Sequence, residues 1–342
     1  MTNRILAAVL TALVLTTSAA FAQDERPGEG VSVQPAIATW QSALPIEAIF
    51  ASLLEELGYT VEDAQSVSNP IFYQSVAQGD VDYWANGWFP IHNAQLPENF
   101  EDTAELVGTI VEQGAIQGYL VDAASAEEYD ITSLEDFKRD EVKEAFDSNG
   151  DGLADLVACP PGWGCEQVIN HHLDVYELRD HINPIEAAYA ASFADALARY
   201  RSGEPVLYYT WTPNFTVVEL VPGEDVVWIN VPETIPSEAQ EGFEDAMIVS
   251  GVTGAVSDPL NFGFVANDIR AVANSDFLDA NPPVRALFEQ IEIPLIEISD
   301  MTQRISEGEG GEDAIQAMAQ EWIENNRDAV EGWLQEARSA AE

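Results

Sequence analysis

Strand-like apolar runs alternate along this chain with runs whose apolar positions recur every three or four residues, and few folds accept such an alternation. GVSVQPAIA (30–38) reads as a first strand, and PIEAIFASLLEELGY (45–59) as an amphipathic helix that runs to a glycine. DVDYWANGW (80–88) follows as strand and turn, and AIQGYLVD (115–122) as a buried strand. A second section holds SLEDFKRDEVKEAF, CEQVINHHLDVYEL and YAASFADALARYRSG as helices and PVLYYTWTP (205–213) as a strand. After DVVWINVP (225–232) come FGFVAND (262–268), PPVRALFEQIEI and a long C-terminal helix ending in VEGWLQEARSAAE. Alternating units predict an α/β class, with a mixed or parallel sheet covered by helices on both faces. No internal repeat or low-complexity block interrupts this order; the nearest approach to a linker is the glycine-rich run from Glu307 to Glu312.

The 342 residues suffice for two ordinary domains and a substantial core. Residues 1–22 read as a secretory signal peptide. One arginine precedes an apolar-and-threonine run from Ile5 to Leu15, and Ala20-Phe21-Ala22 supplies the small-x-small cleavage pattern before Gln23. No lipobox cysteine follows, and no later segment reaches the roughly 18–20 apolar residues of a membrane span. The expected mature protein is exported to the periplasm and is not membrane-embedded. Thirteen Lys and Arg against 60 Asp and Glu give a formal charge of −47. Such a field repels nucleic acid and anionic membrane surfaces, which excludes both as partners, and it keeps the chain soluble.

The sequence carries no G-x-S-x-G, P-loop, post-strand G-x-G-x-x-G or H-E-x-x-H signature, so a catalytic reading has nothing to build on. Of the four histidines (His92, His171, His172, His181), the adjacent pair points to different helix faces and makes no metal pair by spacing. DSNGDGLAD (147–155) is more specific. Asp147, Asn149 and Asp151 alternate, Gly152 permits a sharp turn, and the Leu153 carbonyl and Asp155 complete the first half of a calcium loop. Its twelfth position is Ala158 rather than glutamate, so a structural Ca2+ site and an Asx-rich turn both stay open. No other cofactor is implied.

Eight tryptophans are the stronger signal. Trp228, Trp322 and Trp333 fit core packing. Trp40 lies between a strand and a helix, Trp88 in NGWFP, Trp163 in PGWGC and Trp211 in YTWTP; glycine or proline beside three of them places their rings on turns, where binding residues concentrate. Tryptophan faces converging in a cleft make a box for a quaternary ammonium, which has no hydrogen to donate and is held by cation–π attraction.

At these residues the chain resembles the substrate-binding proteins of ABC importers for glycine betaine and proline betaine. The resemblance rests on GWFPIHN (87–93), QGYLVD (117–122), FDSNGDGLADL (146–156), CPPGWGC (159–165) with the following NHHL, and YYTWTP (208–213). DVVWINVP, VAND and GWLQEA match more loosely. It implies a two-lobed periplasmic binding protein fold of type II, with two crossovers and a ligand in the interlobe cleft. The lobes are expected at 23–115 plus 225–342, and at 116–224. By motif, Trp88, Trp163 and Trp211 surround the trimethylammonium group, while His92 and the amides of Gly164 and Cys165 meet the carboxylate. Cys165 opens a helix, whose free N–H groups and dipole favour an anion. Trp40 departs from the betaine pattern: as a fourth wall it suits a compact ligand such as trimethylamine N-oxide. Glycine betaine, trimethylamine N-oxide and dimethylsulfoniopropionate all stay open.

The implied partners are this small ligand and an inner-membrane permease, for a monomeric, non-catalytic receptor. A Cys159–Cys165 disulfide suits the oxidising periplasm and would hold Trp163, Gly164 and Cys165 as a preorganised grip. Two other classes compete. A calcium-dependent exported structural or adhesion protein would lose a macromolecular interaction on chelation, and an exported enzyme acting on choline-like compounds would turn its ligand over.

Overall fold

The computed structural model describes residues 26–341; the expected signal peptide and its cleavage site lie outside the described residues. Two sheets dominate. In the first, Asn267–Asn274 runs antiparallel between Tyr83–Phe89 and Ala104–Ala115. In the second, the order is Val226–Ile229, Gln117–Asp122, Leu207–Trp211, Ala154–Val157 and Ile182–Ile185. Neighbours pair antiparallel among its first three strands and parallel among its last three, so the sheet is mixed, as the alternation of units predicts. Every residue of Tyr83–Phe89, Gln117–Asp122 and Leu207–Trp211 is buried. Strands covered on both faces tend to read as apolar runs, as AIQGYLVD does in the sequence.

The chain crosses between the sheets twice. The first crossing is nearly direct, because only Ile116 separates Ala104–Ala115 from Gln117–Asp122. The return follows Ile229: Val226–Ile229 still pairs with Gln117–Asp122, so the second sheet extends past residue 224. GVSVQPAIA becomes two short strands, Ser32–Val33 and Ala36–Ile37, each paired in parallel with residues just beyond the first helix. That helix, Ala43–Glu56, buries Ile46, Ile49, Phe50, Leu53 and Leu54 against Tyr83–Phe89 on one side and Glu312–Asn325 on the other.

The single long C-terminal helix expected from the sequence is three helices, Leu295–Ser306, Glu312–Asn325 and Arg327–Ser339. The glycine-rich run separates the first two, and Asn326, with non-helical φ −108° and ψ 20°, separates the others. This break lets Trp322 stack on Trp333 at 6.3 Å and 21°, so both serve packing, as does the buried Trp228. Among the described residues no helix is long and apolar enough to cross a membrane.

Candidate functional site

Four tryptophans reach one cavity from four separate pieces of chain. Trp88 lies near the carboxyl end of Tyr83–Phe89 and Trp211 closes Leu207–Trp211. Trp163 caps the helix Gly164–Val175, and Trp40 stands in the bend before Ala43–Glu56. Carboxyl ends of strands are where open α/β sheets collect ligands, so Trp88 and Trp211 are strand-end residues rather than turn residues. The cavity, about 30 Å³, is lined by Trp40, Trp88, His92, Trp163, Gly164, Cys165 and Trp211, together with Ile91, Gln117 and Tyr209. All the candidate ligand residues read from the sequence therefore line one cavity.

Trp163 stands nearly at right angles to two of its neighbours. Trp163 meets Trp40 at 5.3 Å and 74°, and Trp211 at 5.4 Å and 83°. Edge-to-face pairs of this kind set the positive edge of one ring against the negative face of the next, and mutually perpendicular rings make the corner of a box. Tyr189 backs Trp211 at 4.7 Å and Trp163 at 6.1 Å. Three indole N–H groups are held by protein acceptors: Trp40 Nε1 and Trp88 Nε1 by Asn86 Oδ1, and Trp163 Nε1 by Thr39 Oγ1. No carboxylate and no Lys or Arg lines the cavity. For a chain of charge −47 that matters, since a cationic head there meets π faces rather than an ion pair.

The opposite chemistry sits at the start of Gly164–Val175. Trp163 supplies no side-chain cap, and the amides of Gly164 and Cys165 donate to no acceptor among the described residues. Cys159 and Cys165 are joined as a disulfide with Cα atoms 5.9 Å apart. Within that loop Gly162 takes the left-handed φ of 89°, and its N–H donates to the Glu166 carboxylate at 2.8 Å. Gly164 is needed for closeness: a Cβ there would lie 3.0 Å from Cδ2 and 3.5 Å from Nε2 of His92.

His92 is 3% exposed, and burial pulls its pKa from 6.5 to about 3, so the ring is neutral. The Trp88 N–H donates to its Nδ1 at 3.1 Å, which puts the ring proton on Nε2, the edge that faces Gly164. Tyr73 Oη lies 2.7 Å from Nδ1, the Asn69 amide 3.0 Å from Nε2, and Trp84 stacks on the ring at 24°. The cavity thus has an aromatic end, where the buried Trp211 Nε1 has no partner among the described residues, and an end where the backbone N–H groups of Gly164 and Cys165 gather beside His92.

Ile91, Gln117 and Tyr209 carry no local signal that distinguishes them. Register does: Tyr209 shares a sheet face with Trp211, and Gln117 is the direct partner of Trp211 across the antiparallel pair. Tyr209 Oη donates to Gln117 Oε1 at 2.5 Å, which fixes both against the wall.

The other candidates fall elsewhere. In the 147–155 loop the oxygens expected to converge on calcium accept protein hydrogens instead. Asp147 takes the amides of Gly150, Asp151 and Gly152, Asn149 that of Asp151, and Asp151 that of Leu153. Asp155 is occupied by Ser148, Asn149 and Asn183. Among the described residues no group of three or more His, Cys, Asp or Glu side chains is placed to hold a metal. The loop is an Asx-rich turn, and the calcium reading finds no support. His172 is a core residue: Nδ1 lies 2.9 Å from Tyr119 Oη and Nε2 3.1 Å from the Gly263 carbonyl.

Comparison with known proteins shows the family to which the chain belongs. The family described as the substrate binding domain of ABC-type glycine betaine transport systems matches residues 31–325. The chain is 37% identical over 341 residues to the glycine betaine-binding periplasmic protein OusX of Dickeya dadantii, covering 100% of both chains. It is 36% identical to the glycine betaine/proline betaine-binding periplasmic protein of Salmonella typhimurium, over 95% of this chain and 96% of that one. Among solved structures, a glycine betaine, L-proline ABC transporter binding protein from Borrelia burgdorferi superposes with a TM-score of 0.69 at 16% identity, covering 91% of this chain and all of that one. The fold is that of a type II periplasmic binding protein.

Proposed function

Because the chain belongs to the family of substrate-binding domains of ABC-type glycine betaine transport systems, we propose that it is the periplasmic receptor of such an importer. It captures a small trimethylammonium osmolyte, glycine betaine first, and delivers it to the membrane permease without chemical change. The observation that carries this reading is the convergence of Trp40, Trp88, Trp163 and Trp211 on a cavity whose other end holds the uncapped amides of Gly164 and Cys165.

A zwitterion fits both ends. Its methylated head needs a surface that is electronegative yet asks for no hydrogen bond, which indole faces supply. Its carboxylate takes the two amides at the positive end of a helix dipole, with the His92 ring beside them. Neutral His92 adds no charge, so a ligand of zero net charge leaves no uncompensated ion in the closed site. We assign one lobe to the first sheet with the C-terminal helices and the other to the second sheet. Trp40 and Trp88 belong to the first, Trp163 and Trp211 to the second, so closure desolvates the cation as it assembles the box.

Trp40 favours trimethylamine N-oxide as a second ligand, since a further aromatic wall serves a compact head whose single oxygen asks less of the amides. Calorimetric titration of the mature protein with glycine betaine and trimethylamine N-oxide tests the reading. Saturable heat with at least one supports it, and absence of heat with both and with other methylated onium compounds sinks it.

A further inference from the structure

Asn86 lies in Tyr83–Phe89, 1% exposed, outside the residues that line the cavity. Its Oδ1 accepts two indole hydrogens at once, from Trp40 Nε1 at 2.8 Å and from Trp88 Nε1 at 2.9 Å. Two donors on one atom fix the amide's orientation, because the flipped amide would set its NH2 against both. Nδ2 is thereby turned away, buried and without a partner among the described residues. Buried amide groups are nearly always paired, so an orphaned NH2 marks a position selected for something other than stability.

Its reach extends further through Trp40. That ring meets Trp163 edge to face, and Thr39 beside it accepts the Trp163 N–H. Trp40 comes from the bend before the first helix, Trp88 from the first sheet, and Trp163 from the start of Gly164–Val175. A single carbonyl oxygen thus ties together two walls of the cavity, and one of those walls is the contact with a third.

We propose that Asn86 is the positioning residue of this site: its side-chain carbonyl holds Trp40 and Trp88 at a fixed mutual angle, and through Trp40 it sets the contact with Trp163 that bounds the methylated head. The proposal rests on the reading of the cavity as a trimethylammonium site. Two indoles locked by one acceptor make a rigid wall, which limits the head group to a compact trimethylated centre and avoids the ordering cost of two mobile rings.

Asn86→Leu removes the acceptor at similar volume, whereas Asn86→Asp keeps oxygen where the indoles need it. Calorimetry with glycine betaine, the thermal midpoint and the indole N–H signals of 15N-tryptophan-labelled protein are measured for each. The expected result is 10- to 100-fold weaker binding for Asn86→Leu, with a fall in thermal midpoint that leaves the protein folded at the titration temperature. Its indole signals should shift for Trp40 and Trp88, with a smaller shift for Trp163. Asn86→Asp should restore the two signals and most of the affinity. Wild-type affinity and unmoved signals in Asn86→Leu overturn the proposal, and so do equal losses in both variants. Should Asn86→Leu fail to fold, Trp40→Phe keeps a ring and deletes one donor: at least fivefold weakening is expected, and wild-type affinity overturns the idea. If the wild type binds no onium compound, the functional reading fails, while the indole signals of the free proteins still decide whether Asn86 sets the rings.

Discussion

Gly164→Ala probes the anion end alone. Gly164 occupies the first position of its helix in ordinary backbone, so alanine meets no conformational penalty there and gains about 0.4–1 kcal/mol from a less flexible unfolded chain. The added Cβ falls 3.0 Å from His92 Cδ2 and 3.4 Å from Ile91 Cγ1, where ordinary carbon contacts lie at about 3.5–4.0 Å. His92 cannot yield, since its two nitrogens are engaged by Trp88, Tyr73 and Asn69 and its ring stacks on Trp84. The helix start must retreat by about half an ångström, and the amides of Gly164 and Cys165 retreat with it. Hydrogen bonds to a charged acceptor contribute roughly 1.5–3 kcal/mol each, so losing about half of two costs about 1.5–3 kcal/mol, or roughly 10- to 100-fold in affinity. Calorimetry with glycine betaine and with tetramethylammonium, which has no carboxylate, separates the two ends. Glycine betaine should weaken, tetramethylammonium should change less than threefold, and the thermal midpoint should barely move. Unchanged betaine binding, or equal loss for both ligands, would refute the two-ended account.

Trp88→Leu and Trp211→Leu should each weaken glycine betaine by roughly 1–2 kcal/mol, the contribution of one face to a desolvated cation, and wild-type titrations would remove those residues from the site. Replacing Cys159 and Cys165 by alanine frees a loop of sequence separation 6, whose closure is worth at most about 3 kcal/mol. The variant should stay folded by circular dichroism yet bind at least tenfold more weakly; lost folding with intact affinity would make the loop purely structural. His92 and His172, both lowered by burial from 6.5 to about 3, contribute stability that is full above their ordinary pKa and is lost as pH falls toward 3. Each should remove about 2 kcal/mol by pH 5, so denaturant unfolding at pH 7 and 5 should show a drop that His172→Gln roughly halves. An identical drop in the variant would contradict the assignment of His172.

The tryptophans show how far the sequence carries. Glycine and proline neighbours, with the bend at Trp40, picked out the four that meet in the cavity, because strand ends and helix starts carry such residues whether or not a ligand is bound. The same marks could not find Asn86 or Gln117. Their roles depend on which strand or bend lies opposite, a matter of register and tertiary pairing that no local window contains. His172 was legible in principle, since Val168, Ile169, His172 and Leu173 keep helical spacing on a buried face. The Asx-rich loop shows the opposite limit. Its composition serves a cation or a tight turn equally, and only the direction of its oxygens, toward backbone amides, separates the two.

The central claim is that aromatic faces hold a positive charge rather than a shape. Replacing the quaternary nitrogen of glycine betaine by carbon gives 3,3-dimethylbutyrate, which keeps the three methyl groups and the carboxylate and loses only the cation. Side-by-side calorimetric titration of the wild-type protein should find the carbon analogue at least 100-fold weaker, in line with the roughly 2 kcal/mol or more expected of a desolvated cation over each of several rings. Affinities within threefold of each other would contradict the account and leave a hydrophobic pocket where a cation box has been inferred.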